Sequence, residues 1–121
     1  MLENIVEQRI RFGRLYDFYG GLLTAKQQNI MEQHFYNDLS LGEIAENCNI
    51  SRQAVHDLLK RVEITLEKYE VKLGLLARDE RQKQSLIKGR KLLASYIKET
   101  TSDTRLKAVE KILQDLEKGG R

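Results

Sequence analysis

The sequence predicts an all-α protein in which a helix-turn-helix has a long recognition helix that continues into a C-terminal helical bundle or dimerisation region. Three observations support this fold class. The 121 residues include no proline, so no residue of that type interrupts a helix. Apolar residues recur at steps of three and four along most of the chain, which is the period of an amphipathic helix. Thr24, Ser40 and Ser51 each precede such a segment, where a helix N-cap is needed.

The first two helices follow from this spacing and from one cap. Periodicity predicts a helix over residues 5–19, and the two glycines at 20–21 end it. Thr24 and Gln27 have the spacing of a capping box, in which the side chain of each bonds to the backbone N–H of the other. A second helix is therefore predicted over residues 25–36.

Residues 40–61 have the residue order of a helix-turn-helix. Ser40 and Glu43 form a second capping box, which predicts that the first helix of the motif begins at Leu41. Asn49 lies where the turn needs a positive φ angle, which asparagine tolerates better than most residues. Small and apolar residues occupy the wedge between the two crossing helices. These residues are Ile44, Ala45, Cys48, Ile50, Val55 and Leu58.

The second helix of the motif is predicted to run on over residues 52–77, capped by Ser51. A heptad seam extends along it. The seam consists of Val55, Leu59, Val62, Leu66, Tyr69, Leu73 and Leu76. A seam of this length has to be covered, either by the chain's own C-terminal helices or by a second copy, and the spacing alone does not choose between them.

Helical spacing resumes beyond Gly89, and a last helix carries an amphipathic stripe. The stripe consists of Leu106, Val109, Ile112, Leu113 and Leu116. We place the boundary between two parts within the long helix. Residues 1–65 are predicted to form the helix-turn-helix DNA-binding part, and residues 66–121 the C-terminal helical part for dimerisation or interaction.

The composition argues against several classes of protein. One cysteine, Cys48, excludes an intramolecular disulfide, and its place in an apolar wedge suits a reducing cytoplasm. No apolar run approaches the roughly 18 residues that span a bilayer, and no signal peptide is visible. His34 and His56 lack neighbours at metal-ligand spacing, and no glycine-rich phosphate loop occurs. We therefore expect a cytoplasmic non-enzyme without cofactor, metal or small-molecule substrate.

Charge is distributed unevenly along the chain. Residues 1–65 carry seven basic against nine acidic residues, whereas residues 66–121 carry fourteen against nine, for a net charge of +3. Much of the basic excess lies in residues 78–91. The segment is interpreted either as a solvated helix face or as a surface that follows phosphates. Its basic residues are Arg78, Arg81, Lys83, Lys88, Arg90 and Lys91.

The second helix of the motif presents the residues that would read DNA. In a docked helix-turn-helix, the N-terminal turn of this helix meets base edges and later outward residues meet phosphates. The predicted base-reading residues are Ser51, Arg52, Gln53 and His56. Lys60 and Arg61 suit phosphates. Asp57 suits them badly, and we expect it to pair with Arg61 four residues later; solvent exposure with local pairing is the alternative for every one of these residues.

Several short runs within residues 12–76 carry a resemblance to known proteins. They are Leu22-Leu23-Thr24, Lys26-Gln27, Ser40-Leu41, Glu43-Ile44-Ala45-Glu46, Ile50-Ser51-Arg52-Gln53-Ala54-Val55 and Lys60-Arg61. With these runs in order, the segment strongly resembles the YlxM family, small helix-turn-helix proteins of Gram-positive bacteria encoded beside the signal recognition particle GTPase. It also resembles the promoter-reading fourth region of bacterial sigma factors. The resemblance implies an all-α, dimeric protein with a regulatory role linked to the signal recognition particle pathway.

Two functions follow as expectations. The first is a dimeric, DNA-binding regulator that docks its helix-turn-helix on a duplex. The alternative is an adaptor or RNA-associated protein of the signal recognition particle, which contacts particle RNA or protein through the basic C-terminal half and keeps the helix-turn-helix as a scaffold.

Overall fold

The computed structural model describes residues 2–100 and 103–118, and within these ranges the chain forms six α-helices and no strand. The predicted all-α class is therefore confirmed. The helices are α1 (Leu2–Tyr19), α2 (Ala25–Met31), α3 (Leu41–Cys48), α4 (Arg52–Leu73), α5 (Leu75–Thr100) and α6 (Thr104–Lys118). The chain divides into two compact units, Met1–Leu76 and Ala77–Arg121. The first helix extends further toward the N-terminus than the predicted 5–19.

Helix α2 begins at the predicted capping box. Thr24 Oγ1 accepts from the Gln27 N–H at 3.2 Å, and Gln27 Oε1 accepts from the Thr24 N–H at 3.0 Å. After Met31 the helix widens into a π-helical turn over Glu32–Tyr36, and the Asn37 N–H donates to the carbonyl five residues back at 3.0 Å. The predicted helix over 25–36 is thus right in extent, but its last turn is wider than an α-helix.

The heptad seam of α4 is covered by the N-terminal helices of the same unit. Helix α4 packs against α1, α2 and α3, which is neither of the two coverings that the sequence suggested. These helices supply apolar faces of their own, so the seam needs no other partner. The buried core residues of the unit are Leu15, Tyr19, Leu23, Ile30, Met31, Ile44, Ala45, Val55, Leu59, Val62, Leu66 and Leu76. Leu73 is the exception in the seam, since 56% of it stays exposed.

The predicted continuous helix over 52–77 is wrong at its C-terminal end. Helix α4 stops at Leu73 because Gly74 adopts the left-handed conformation, with φ 64°, and its N–H donates to the Glu70 carbonyl at 2.8 Å. Helix α5 then starts a new hydrogen-bonding frame. Two of its first N–H groups find side-chain partners, since Leu75 N–H donates to Tyr19 Oη and Leu76 N–H to Glu70 Oε1, both at 3.0 Å.

The division between the units lies after Leu76, not near residue 65. Residues 66–76 belong to the helix-turn-helix unit, because Leu66 and Leu76 are buried in its core. Gly89 does not interrupt α5, although the sequence pattern paused there.

The second unit consists of α5 from Ala77 onward and of α6. Arg90 Nε donates to Glu117 Oε1 at 2.5 Å, which links the two helices, and Ile97 is buried. Part of the α6 stripe stays exposed, including Val109, Ile112 and Leu116. In the part of the chain that the structure describes, none of the helices combines the length and apolar composition that membrane crossing requires.

Candidate nucleic-acid interface

Caps and a left-handed turn fix the two helices of the motif. Ser40 Oγ accepts from the Glu43 N–H, and Glu43 Oε1 accepts from the Ser40 N–H, both at 3.1 Å. The bond that the carboxyl accepts from the Ser40 N–H, followed by hydrogen bonding from the Ser40 side chain, holds the pKa of the Glu43 carboxyl below its usual value. Asn49 has φ 56° and ψ 44°, and Ser51 Oγ accepts from the Ala54 N–H at 3.0 Å. Both capping predictions and the predicted turn are confirmed.

The wedge between α3 and α4 is packed as predicted. Ile44, Ala45 and Val55 are buried, and the other three predicted wedge residues are half-buried. Sequence reasoning missed a buried amide beside them. Gln33 is 8% exposed; its Nε2 donates to Cys48 Sγ at 3.5 Å, and its Oε1 accepts from Asn47 Nδ2 at 3.1 Å. Its position three residues after buried Ile30 is the only sequence signal that would have placed it inward.

The predicted base-reading residues lie on an exposed surface at the N-terminal end of α4, with Ser51 as the N-cap. Ser51 Oγ accepts the cap bond, and its hydroxyl hydrogen stays available to donate to a partner. Arg52 makes no hydrogen bond or ion pair to any residue that the structure describes. Gln53 Nε2 donates to Asp57 Oδ1 at 3.0 Å, and His56 Nδ1 lies 3.5 Å from the same oxygen.

The position of Asp57 corrects one expectation. This carboxylate pairs with Gln53 and lies beside His56, whereas we expected it to pair with Arg61. The guanidinium of Arg61 has no partner among the described residues. The other predicted phosphate contact, Lys60, is exposed and has Nζ 3.7 Å from Oε2 of half-buried Glu63, so the ion pair is loose.

A cation that sequence reasoning missed lies beside Arg61. Lys26, in the first turn of α2, and Arg61 both line one surface pocket, whose volume is about 260 Å³. The capping box at Thr24 shows where α2 begins, but the sequence gives no sign of which part of α4 its first turn approaches.

The basic segment of α5 is partly neutralised within its own unit. Lys83 Nζ lies 3.3 Å from Asp79 Oδ2, and Arg90 bonds to Glu117. Four of the six predicted basic residues make no ion pair within the described ranges. They are Arg78, Arg81, Lys88 and Lys91.

The described residues contain no group of three or more His, Cys, Asp or Glu side chains placed to hold a metal ion. The exposed N-terminal end of α4 and its basic flank offer hydrogen-bond donors, acceptors and positive charge. They are suited to hydrogen bonding and to charge pairing.

Comparison with known proteins identifies the family. The sequence profile of UPF0122, described as "Putative helix-turn-helix protein, YlxM / p13 like", matches residues 6–109. The chain belongs to the UPF0122 family. The resemblance to YlxM proteins found in residues 12–76 is thus confirmed, and the match extends through α5 into α6.

Individual UPF0122 proteins are similar over most of their length. The UPF0122 protein of Geobacillus kaustophilus is 44% identical over 114 residues, which cover 93% of this chain and 100% of the relative. A UPF0122 protein of a Thermoanaerobacter species is 48% identical over 85% of this chain and 88% of its own. That of Desulforamulus reducens is 54% identical over 68% of this chain and 70% of its own. The two-unit chain is therefore typical of UPF0122 proteins in length.

Proposed function

We propose that this UPF0122 protein binds double-stranded DNA by placing the first turn of α4 in the major groove. The observation that carries the proposal is Arg52, an exposed side chain without a partner among the described residues, at the start of the second helix of a correctly capped motif. An arginine in that position can donate to both O6 and N7 of guanine. No ion pair has to be broken before it does so.

The neighbouring residues extend this reading surface. Reading adenine needs Gln53 to accept from N6 and donate to N7. Its bond to Asp57 uses one amide hydrogen and leaves the oxygen and the other hydrogen free, so the contact restrains the side chain without blocking it. Ser51 and His56 lie on either side, and Lys60 and Arg61 would bind phosphates.

We further propose that two copies act together in the cytoplasm, as a regulator connected with the signal recognition particle pathway. Residues 1–65 carry more acidic than basic residues, so one copy offers few phosphate contacts. A symmetric pair would double them and would read a palindromic site. The single cysteine, Cys48, is half-buried beside the helix-turn-helix wedge, a place that suits a reducing cytoplasm.

The test is selection from a pool of random duplexes, with the wild-type protein compared with Arg52→Ala. We expect an enriched sequence that contains guanine and loses that preference in the variant. Lys72→Ala is the matched control, because it also removes one exposed positive charge from α4 but lies near the other end of the helix. No enrichment by the wild-type protein, or enrichment unchanged in Arg52→Ala, would refute base reading by this turn.

A second candidate function rests on α5. Arg78, Arg81 and Lys88 are free of ion pairs among the described residues and recur at steps of three and seven, so they lie along one face of the helix. Such a row could follow the phosphates of the particle's RNA, in an adaptor that contacts the particle. Arg81→Glu with Lys88→Glu should then abolish RNA binding, whereas Arg52→Ala should leave it unchanged.

A further inference from the structure

The pocket beside Arg61 brings together cations from two helices. Its lining residues are Lys26, Ile50, Ala54, Asp57, Leu58 and Arg61. Lys26 belongs to α2, outside the helix-turn-helix, whereas Arg61 lies in the third turn of α4. Ile50 and Leu58 are half-buried, whereas Lys26 and Arg61 are exposed, so one surface pocket combines apolar side chains with two exposed cations.

The relative position of these cations is set by packed structure. Helix α2 starts at the Thr24–Gln27 capping box, and Gln28 Nε2 donates to the Gly20 carbonyl at 2.7 Å. Helix α2 also packs directly on α4. The backbones that carry Lys26 and Arg61 are thus fixed before any ligand arrives, which lowers the entropy that binding has to overcome.

The charges at the pocket favour an anion. Neither Lys26 nor the Arg61 guanidinium pairs with a carboxylate among the described residues. Asp57 is the one acidic residue in the lining, and Gln53 already bonds to it at 3.0 Å while His56 lies 3.5 Å away. Two like charges from different helices at one concavity repel each other, and an anion between them would remove that repulsion.

We infer that this pocket binds one phosphate of the DNA backbone, with Lys26 and Arg61 on either side of it. The inference rests on the proposed DNA binding and adds α2 to the docking surface. Arginine offers a planar pair of donors to phosphate oxygens, and lysine adds a point charge. The pocket opens beside the first turns of α4, where the backbone flanking an occupied major groove would pass. A contact of this kind fixes register and carries no sequence information.

The experiment measures the salt dependence of binding to one selected duplex. The proteins compared are the wild type, Lys26→Ala, Arg61→Ala, the double variant and Lys72→Ala as the control for loss of one positive charge. For Lys26→Ala we expect an affinity loss on the order of tenfold, as for one charge-assisted hydrogen bond. The double variant should change the slope of log K against log salt by about 0.9, the value for one phosphate. The preferred sequence should stay the same in every variant.

The other possible results would contradict either the inference or the proposed function. A Lys26→Ala protein that binds like Lys72→Ala would overturn the inference, and a slope change of about 1.8 in the double variant would show two separate phosphates instead of one. Lys26→Arg should restore affinity, which separates loss of charge from misfolding. If the wild-type protein binds no duplex at all, the proposed function itself fails. If it binds and the pocket variants have no effect, only the inference fails.

Discussion

The junction between α4 and α5 depends on one tyrosine hydroxyl. Tyr19 is 1% exposed; its Oη donates to Glu70 Oε1 at 2.6 Å and accepts from the Leu75 N–H at 3.0 Å. Tyr19→Phe keeps the ring and removes both bonds. Leu75 N–H then has no acceptor at the start of α5, while Glu70 keeps its bond from the Leu76 N–H. The perturbation therefore tests the hydroxyl alone.

The expected magnitude follows from these two bonds. A hydrogen bond to a charged group contributes about 1.5–3 kcal/mol, and a neutral one about 0.5–1.5 kcal/mol. Because water can partly replace them at the surface-facing end of the helix, we expect Tyr19→Phe to lower the free energy of unfolding by about 2–3 kcal/mol. For a unit of this size that corresponds to roughly 10–20 °C in Tm. Burial, followed by the bond to Glu70, also raises the pKa of Tyr19, so the hydroxyl stays protonated in the folded chain.

Tyr69→Phe is the matched control for this assay. Its ring lies 5.9 Å from the ring of Tyr19, and its hydroxyl makes no bond within the described ranges. Thermal unfolding followed by circular dichroism gives the stability change, and hydrogen exchange of the Leu75 and Leu76 amides locates it. Equal losses in both variants, or a loss below about 0.5 kcal/mol for Tyr19→Phe, would refute the reasoning.

Three further predictions concern the turn, the helix break and one histidine. Asn49→Ala should cost about 1–2 kcal/mol because alanine resists φ 56°, whereas Asn49→Gly should be nearly neutral in urea unfolding. Gly74→Ala should cost about as much, since an added Cβ meets no atom within 4 Å and only the φ of 64° opposes it. Burial, and then the charge of Arg9, lower the pKa of His34 in the folded chain. The unfolded chain thus binds that proton more readily, so stability should fall as pH drops below about 6.5, and less so in His34→Gln.

Features fixed by local chemistry could be predicted from the sequence. The caps at Thr24, Ser40 and Ser51 and the left-handed Asn49 were all predicted, because each depends on bonds within four residues. The end of α4 at Leu73 was not predicted from the sequence. The heptad spacing continues from Leu66 through Leu76, so the apolar pattern gives no sign of a break. Whether a glycine ends a helix depends on acceptors for the next N–H groups, and the acceptor for Leu75 came from distant Tyr19.

The sequence was enough to predict which helix carries the candidate site, but it was not enough to predict which side chains pair with one another there. Position in the motif identified the exposed turn of α4. Asp57 could bond at i−4 or i+4 with equal spacing, and it bonds to Gln53 at i−4. Lys26 lies far from Arg61 in sequence, and only the packing of α2 on α4 places the two at one pocket. Contacts between elements of this kind are not encoded in any local pattern.

The number of phosphates that one copy would contact sets how steeply its binding to DNA would depend on salt. With one phosphate between Lys26 and Arg61 and a second on Lys60, two phosphates give a salt slope of about −1.8, and affinity falls roughly 12-fold between 50 and 200 mM salt. Two copies would give four phosphates, a slope of about −3.6 and a fall of roughly 150-fold. Lys60 first has to leave Glu63, which lies 3.7 Å away, so two phosphates are the upper value for one copy. A slope steeper than about −2 would therefore require a second copy on the duplex or contacts from α5, and Arg81→Glu with Lys88→Glu separates these two sources.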